Sequence, residues 1–214
     1  MAEDYKYWLR DKLSHACVEN LQNHRFDAKL VANVQEAKNL VLQMTEPHKT
    51  IGFGGSFTTR ALDIVETLQK QGKEVLDHGA AGLTFEETLE IRRRQLTCDC
   101  FMCSANAISL TGEIVNVDGV GNRTSSMTFG PKKVIVVAGV NKICNDLDSA
   151  LKRVKEVAAP MRAKSLETKT PCTLTGVCED CNSNTRICNA TLILHRRPSL
   201  TDMSVIIVQQ SLGF

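Results

Sequence analysis

The sequence predicts one α/β domain built on a mostly parallel central sheet. Segments with strand character alternate with amphipathic helical segments over most of the 214 residues, which is the pattern of βα units. The segment KKVIVVAGV at 132–140 is almost entirely apolar, as expected of a strand buried on both faces of a parallel sheet. The length is that of one ordinary domain.

The first half of the chain alternates helices and strands in a regular order. Trp8, Leu9 and Leu13 recur at helical spacing, and Thr84 with Glu87 predicts a capping box at a later helix. Gly72 predicts a helix end. The predicted elements are helix 5–20, strand 26–32, helix 34–44, a strand within 49–56, helix 59–72, strand 73–77 and helix 84–96.

The second half continues this alternation and adds a cysteine-rich insertion. The segment 98–119 predicts two short strands around a turn at Thr111 and Gly112. The further predicted elements are strand 132–140, helix 146–166 and two closing strands at 189–196 and 203–210. The stretch PCTLTGVCEDCNSNTRICN at 171–189 has few apolar residues and lies between a helix and a late strand.

Composition excludes several classes of partner. The net charge is only +2, the charges are mixed along the chain, and aromatic residues make up 5%, so neither nucleic acid nor an anionic membrane surface is expected. No segment has the apolar length of a secretory signal or a membrane span. We therefore expect a cytoplasmic protein whose thiols stay reduced, and an odd total of nine cysteines argues against a disulfide framework.

A glycine-rich turn is the first candidate ligand site. In IGFGGSFTT, Gly54 and Gly55 link a predicted strand to a predicted helix, followed by Ser56 and Thr58. Backbone amides at such a turn bind phosphate or carboxylate groups. The turn lacks the Lys of a Walker loop and the full spacing of a dinucleotide fingerprint. The alternative is a tight strand–helix connection without a ligand.

A polar loop after the next predicted strands is the second candidate. Asp118, Asn122 and Arg123 lie in NVDGVGNR, and Asn106 also follows a predicted strand. Arg123 suits recognition of a carboxylate or phosphate, and Asp118 or Glu113 could act as a general base. The alternative is that Asp118 and Asn122 shape turns while Arg123 forms a surface pair.

Four cysteines of the insertion form the candidate metal site: Cys172, Cys178, Cys181 and Cys188. Only Cys178 and Cys181 have the C-x-x-C spacing that zinc knuckles use twice. Thiolates are also the usual ligands of iron–sulfur clusters. Zinc, an iron–sulfur cluster and no metal all remain open on spacing alone.

The other cysteines have a simpler interpretation. On one strand, Cys98 and Cys100 would face one side and Cys103 the other, so the three are poorly arranged for one metal. Cys17 and Cys144 stand alone. Since free cysteine is a common buried residue, Cys17 and Cys144 are interpreted as structural, while the role of Cys98, Cys100 and Cys103 stays open, because Cys103 lies three residues before Asn106 and could face the ligand loops.

Three stretches resemble the LUD domain family of lactate-utilisation proteins related to lactate utilisation protein C. They are IGFGGSFTT, the long segment 104–143 and TPCTLTGVCEDCNSNTRICN, and the likeness runs from about Lys29 to the end. The resemblance implies the fold of the ribose phosphate isomerase, glucosamine-phosphate deaminase and CoA transferase superfamily, whose members hold a phosphate or cofactor on a comparable glycine loop. It divides the chain into an N-terminal helical segment, 1–24, and a LUD domain, 25–214.

The resemblance also implies a function linked to lactate or organic-acid metabolism. Related operons pair this domain with iron–sulfur proteins, which favours a [4Fe–4S] cluster on the four cysteines, with zinc as the alternative. The expected partners are a small anionic metabolite, either a hydroxy acid or a sugar phosphate, and iron–sulfur proteins of a lactate-oxidation system. The competing hypotheses are an enzyme, a non-catalytic electron-transfer or scaffold subunit of a lactate-oxidising complex, and a zinc-stabilised regulatory domain. A homodimer is left open.

Overall fold

The centre of the fold is a sheet of six parallel strands in the order β1-β10-β7-β4-β2-β3. The structure is a computed structural model, and it describes residues 2–214. The strands are β1 Asp27–Val31, β2 Thr50–Phe53, β3 Glu74–Asp77, β4 Cys100–Cys103, β5 Ala107–Ser109, β6 Ile114–Asp118, β7 Lys133–Gly139, β8 Ile143–Cys144, β9 Ala190–Leu194 and β10 Asp202–Val208. This confirms the predicted α/β domain with a mostly parallel sheet.

Helices separate most of these strands. Their bounds are α1 Ala2–Asn23, α2 Val34–Thr45, α3 Phe57–Arg60, α4 Val65–Lys70, α5 Phe85–Gln95, α6 Asn122–Thr128, α7 Leu147–Arg153, α8 Ala159–Ser165 and α9 Cys172–Thr175. The predicted capping box of α5 is present, since Thr84 accepts from the Glu87 amide and the Glu87 side chain accepts from the Thr84 amide. Among residues 2–214, no helix is long and apolar enough to cross a bilayer.

The core lies on both faces of the central sheet. Along β7, Val134 and Val136 belong to one apolar cluster, whereas Ile135 and Val137 belong to the other. Successive side chains of a strand point to opposite faces, so an uninterrupted apolar run fits a strand covered on both sides. The apolar segment at 132–140 was therefore a reliable guide to the middle of the sheet.

A second sheet, absent from the sequence prediction, packs beside the first. Its four strands have the order β8-β5-β6-β9, and β6 runs antiparallel to both β5 and β9. The segment 98–119 holds three strands instead of the predicted two, because β4 joins the central sheet before β5 and β6 form the hairpin around Gly112. Pairing partners distant in sequence decide this division, and periodicity does not reveal them.

The single helix predicted over 59–72 is wrong, because α3 and α4 are separate. Asp63 between them has a φ of 47°, a conformation that ends a helix. The break buries Leu62 and Ile64, each about 1% exposed, which a continuous helix would not place together in the core. Gly72, with a φ of 74°, does follow the end of α4 as predicted.

The long helix predicted at 146–166 contains a π-helical turn. Residues Val154–Ala158 form that turn between α7 and α8. Pro160 has no N–H, so it cannot bond to the carbonyl four residues earlier, and a local change of helical pitch accommodates it. The turn alters the direction in which the following side chains project, and several of these reach the candidate site.

The two halves of α1 differ in their burial. Trp8 and Leu9 are 57% and 49% exposed, whereas Cys17 and Leu21 farther along α1 are buried. Only the second half of α1 therefore packs on the domain.

Cys98, Cys100 and Cys103 are buried core residues, but the faces of the sheet on which they lie differ from the prediction. Cys98 and Cys103 belong to one apolar cluster and Cys100 to the other. The predicted shared facing of Cys98 and Cys100 is wrong because Cys98 precedes β4 and does not follow its pleat. Burial raises the pKa of Cys98 to about 11 and that of Cys103 to about 12, so these thiols stay protonated.

Candidate functional site

A cavity of about 200 Å³ lies at the carboxyl ends of the central strands. We call it the polar cavity. It is bordered by the segments that follow β2, β3, β4, β6 and β7, together with the π-helical turn and α8. Ligand sites of open parallel sheets occupy this edge. The polar side chains on its lining are Ser56, Thr58, His78, Ser104, Asn106, Asp118, Asn122, Arg123, Lys142 and Arg162.

An ion pair between Arg123 and Asp118 forms one wall of the polar cavity. The Arg123 Nε donates to Asp118 Oδ1 at 2.9 Å, and its Nη2 donates to Asn106 Oδ1 at 3.0 Å. The Thr124 backbone N–H donates to Asp118 Oδ2 at 2.9 Å. Both side chains are largely buried, with 13% and 8% of their surfaces exposed. Asp118 is therefore committed to holding Arg123 and the start of α6, which argues against a role as a free base.

Lys142 is a buried lysine in the floor of the same cavity. It is 4% exposed, and its Nζ lies 2.9 Å from Thr58 Oγ1, 2.9 Å from Ser104 Oγ and 3.0 Å from the Ala105 carbonyl oxygen. Among residues 2–214 no carboxylate forms an ion pair with it. Burial, followed by the guanidinium groups of Arg153 and Arg123, lowers the pKa of Lys142 to about 7.

Arg162 brings another positive charge to the cavity. Its guanidinium lies over the Phe57 ring, with Cζ 5.5 Å from the ring centroid, and Phe57 in turn contacts Phe214 with ring centroids 4.8 Å apart. Burial, then the charges of Arg123 and Arg60, lower the pKa of Arg162. Within the described chain the only hydrogen bond that its guanidinium donates is a long one, 3.4 Å to Ser165 Oγ. Arg162 is thus held by stacking, and its donors remain free for a ligand.

The glycine turn contributes backbone donors. The N–H groups of Gly55, Ser56 and Phe57 donate no hydrogen bond within residues 2–214, whereas the Gly54 N–H donates to the Met102 carbonyl at 2.8 Å. Ser56 caps α3, because its Oγ accepts from the Thr58 amide at 3.1 Å. Gly55 itself lies close to Arg162, since a Cβ added to it would lie 3.4 Å from Arg162 Nη2.

The four cysteines of the insertion line a second, smaller cavity of about 20 Å³. We call it the thiol cavity. Burial raises the pKa of Cys188, and the nearby thiols of Cys178, Cys181 and Cys172 act in the same direction against the opposing charge of Arg186. All four cysteines are free and partly exposed. Within residues 2–214, however, no three or more His, Cys, Asp or Glu side chains lie close enough together to hold one metal ion.

Arg186 organises the cysteine segment. Its Nε donates to the Cys188 carbonyl at 3.1 Å, its Nη1 donates to the Cys181 carbonyl, and its Nη2 donates to Asp180 at 2.6 Å. The segment is thereby folded back on itself although it has few buried apolar residues. The polar and thiol cavities share Ala159 and Ile187 in their linings, so these two residues form a common wall.

The sequence model of the LUD domain matches residues 15–208. The chain belongs to the LUD domain family. The match confirms the resemblance drawn from the glycine turn, the central segment and the cysteine stretch. No curated protein sequence matches the chain.

A solved structure of a DUF162 family protein from Deinococcus radiodurans is similar to this LUD domain. The TM-score is 0.55 at 14% sequence identity, over 93% of this chain and 98% of that one. At this identity the likeness bears on the fold alone.

Most residues predicted for the anion site of this LUD domain lie together. Gly55, Ser56, Thr58, Asn106, Asp118, Asn122 and Arg123 all border the polar cavity. Gly54 does not border it, because its backbone packs against Cys103 and Phe101. Glu113 is also outside, at the far end of β6 from Asp118, where its carboxylate accepts from Ser109 and Thr111. That contact set makes Glu113 a turn residue of the β5–β6 hairpin.

Three residues of the polar cavity were missed by sequence reasoning. Ser104 sits between a cysteine cluster and Asn106, Lys142 resembles an ordinary lysine after a strand, and Arg162 lies on what reads as an exposed helix face. A usable signal existed for two of them, because Ser104 and Lys142 closely follow the buried strands β4 and β7. For Arg162 no sequence signal was available, since the π-helical turn sets its direction.

Proposed function

We propose that this LUD domain binds a small anionic metabolite in the polar cavity and acts on it as an enzyme. The observation that carries the proposal is the charge of the lining. Arg123, Arg162 and Lys142 border the cavity, whereas Asp118 is its single carboxylate within the described chain and is already paired. Because Asp118 compensates Arg123 and the pKa of Lys142 is lowered, the uncompensated charge is that of Arg162, and such a charge beside free backbone amides favours a carboxylate or a phosphate.

The size and lining of the cavity indicate the class of ligand. A volume of about 200 Å³ suits a short hydroxy acid, an oxo acid or a small phosphorylated compound and is below the range typical of drug-sized ligands. Arg162 supplies a planar pair of donors for one anionic group, and the Asn106 and Asn122 amides can bind hydroxyl groups. Family membership supports a place in lactate or other organic-acid metabolism.

Removal of the Arg162 charge tests the anion site. We expect Arg162→Gln to weaken the binding of L-lactate, pyruvate or inorganic phosphate roughly 10-fold or more, because a charge-assisted pair of hydrogen bonds is lost. Isothermal titration of the purified full chain measures this affinity. Arg93→Gln, on the exposed last turn of α5, is the matched control and should bind normally. Absence of binding of all three anions to the unaltered protein contradicts the proposal.

We further propose that the thiol cavity holds a [4Fe–4S] cluster. The donor set fits this group, because four thiols from one short segment border one cavity and influence one another electrostatically. The cavity is only about 20 Å³, so a cluster requires outward movement of the cysteine segment, whose outer residues are exposed. Metal ligation would also supply order to a segment with few apolar residues.

Held by all four thiolates, the cluster would supply electron transfer next to the bound metabolite, whereas ligation by three thiolates would leave one iron open as a Lewis acid. Ala159 and Ile187 alone are common to the two linings, which supports a role in the chemistry of the metabolite over a remote electron relay. In this arrangement Arg162 and the glycine-turn amides hold the anion, Arg123 is kept rigid by Asp118, and Arg186 maintains the fold of the cysteine segment.

Loss of one thiol tests the cluster. After anaerobic preparation and reconstitution with iron and sulfide, we expect the full chain to bind about four irons per chain and to show a broad visible absorbance. Cys178→Ser should abolish both, whereas Cys144→Ser, outside the segment, should preserve them. Stoichiometric zinc without iron in both aerobic and anaerobic preparations supports the zinc alternative instead, and equal iron content in the two variants contradicts a site on these cysteines.

A further inference from the structure

Ser104 and Lys142 form a buried pair that anion binding does not explain. Ser104 is 1% exposed yet borders the polar cavity, and its Oγ lies 2.9 Å from Lys142 Nζ. They follow β4 and β7, which are neighbouring parallel strands of the central sheet. The central sheet therefore positions both groups.

The surrounding hydrogen bonds determine which member of this pair donates to the other when the amine is neutral. The Ala105 carbonyl can only accept from Lys142, at 3.0 Å. The Thr58 hydroxyl donates to the Leu212 carbonyl at 3.2 Å, so towards Lys142 it also accepts, at 2.9 Å. A neutral amine has two hydrogens and one lone pair. In the neutral amine both hydrogens are then used, so the lone pair accepts the Ser104 hydroxyl hydrogen, whose other acceptor within reach is the Ala105 carbonyl at 3.4 Å. In the ammonium form the third hydrogen of Lys142 is donated to Ser104 Oγ instead.

The environment favours the neutral amine. The charged groups around Lys142 are Arg153 of α7 and Arg123 of α6, and the Cys103 thiol of β4 also faces it. Burial and the two guanidinium groups lower the pKa of Lys142 to about 7, so a large share of the amine is unprotonated at neutral pH. A hydroxyl that donates to such a base is an activated nucleophile.

We propose that Ser104 is the nucleophile of an acyl-transfer reaction and that Lys142 is its general base. The inference rests on the proposed function in one respect, because the acyl donor would carry an anionic group held by Arg162. The substrate class is a small carboxylic ester, thioester or acyl phosphate that carries a separate anionic group. Ser–Lys pairs perform the role of longer catalytic triads on several unrelated folds.

The reaction balances without an external oxidant or reductant. The Ser104 Oγ attacks the acyl carbon of R–CO–X, a new C–O bond forms and the C–X bond breaks with its electron pair on X. The hydroxyl proton passes to Lys142 Nζ and then to X, which leaves as HX. Water then attacks the acyl-serine, releasing the carboxylic acid R–COOH and restoring the Ser104 hydroxyl.

Acylation by small nitrophenyl esters tests the pair in the full chain. With 4-nitrophenyl acetate and mono-4-nitrophenyl succinate we expect a burst of nitrophenolate and one acyl group located on Ser104 by tandem mass spectrometry. Ser104→Ala should lose this acyl group, and Ser125→Ala, an exposed serine of α6, should retain it. Lys142→Met should slow Ser104 acylation by roughly 10²-fold or more.

The pH dependence of the acylation rate tests the role of Lys142 in the unaltered protein, so the test does not depend on whether Lys142→Met folds. In the unaltered protein the acylation rate should rise with pH and level off above pH 7, since only the neutral amine of Lys142 accepts a proton. A rate that does not change with pH through this range overturns the proposal. Acyl groups found on cysteines or lysines but never on Ser104 also overturn it.

The anionic ester separates this inference from the proposed function. Faster acylation by the succinate ester than by the acetate ester, with the difference removed by Arg162→Gln, supports both. Binding of lactate, pyruvate or phosphate without acylation of Ser104 overturns the Ser104–Lys142 pair and leaves the anion site intact. Acylation of Ser104 with no preference for the anionic ester and no anion binding supports the pair and overturns the anion site.

Discussion

Replacing Arg123 by methionine should lower the free energy of unfolding by about 3–5 kcal/mol, since it leaves Asp118 as a buried, uncompensated charge. Asp118 then keeps only the Thr124 amide of its present donors, and Asn106 loses the Arg123 donor. Equilibrium unfolding in urea measures the change. Anion binding should fall as well, because the wall of the polar cavity is no longer held in place.

The double variant Asp118→Asn, Arg123→Met is the matched control. The asparagine keeps the shape of Asp118 and can still accept from the Thr124 amide, but it carries no charge to compensate. We expect the double variant to recover much of the lost stability while anion binding stays weak. A loss below about 1 kcal/mol for Arg123→Met alone, typical of an exposed pair, would contradict the buried ion pair described above.

Replacing Gly139 by alanine should be the second large effect, at about 3 kcal/mol, the upper end of the usual cost of overpacking. Gly139 ends β7 with an ordinary φ of −77°, so the backbone itself tolerates a side chain. An added Cβ would lie only 2.5 Å from each of Asn141 Oδ1, the Gln210 carbonyl and the Leu212 amide. The same groups hold the C-terminal segment in place, since the Leu212 N–H donates to Asn141 Oδ1 at 3.0 Å and the Val140 N–H donates to the Gln210 carbonyl at 3.2 Å.

Gly72→Ala separates steric clash from backbone strain. Gly72 has a φ of +74° with no atom within 4 Å of the added Cβ, so its replacement costs only the strain, about 1 kcal/mol. Urea unfolding of the two variants should therefore differ by about 2 kcal/mol. Equal losses would show that the close approach at Gly139 relaxes easily. Gly139→Ala should also weaken anion binding, because Phe214 supports Phe57 beneath Arg162.

The two cavities give the enzyme hypothesis its structural basis. An electron-transfer subunit needs a redox group near a surface and no metabolite site, and a regulatory domain needs a metabolite site without a redox group. Here the polar cavity proposed to bind the anion and the thiol cavity both border Ala159 and Ile187. A substitution that enlarges this wall, such as Ala159→Phe, would change the shape of both cavities at once.

Local sequence patterns were sufficient for the fold class and for much of the candidate site. The apolar run at 132–140 identified a strand covered on both faces, and the polar residues after strands converge because parallel strands end at the same edge of the sheet. Arg123 and the glycine turn were found in this way. The four cysteines of 171–189 were grouped because one short segment carries them all, and they border one cavity, while their role as metal ligands stays a prediction.

Contacts between distant segments lay beyond that reasoning. The second sheet, the break between α3 and α4 and the π-helical turn all depend on packing partners that periodicity does not identify. Ser104 and Lys142 are 38 residues apart and meet only because β4 and β7 are neighbours in the sheet. Burial next to two guanidinium groups then changes the pKa of Lys142. Side-chain chemistry of this kind depends on the three-dimensional surroundings, because desolvation and charge act through space and not along the chain.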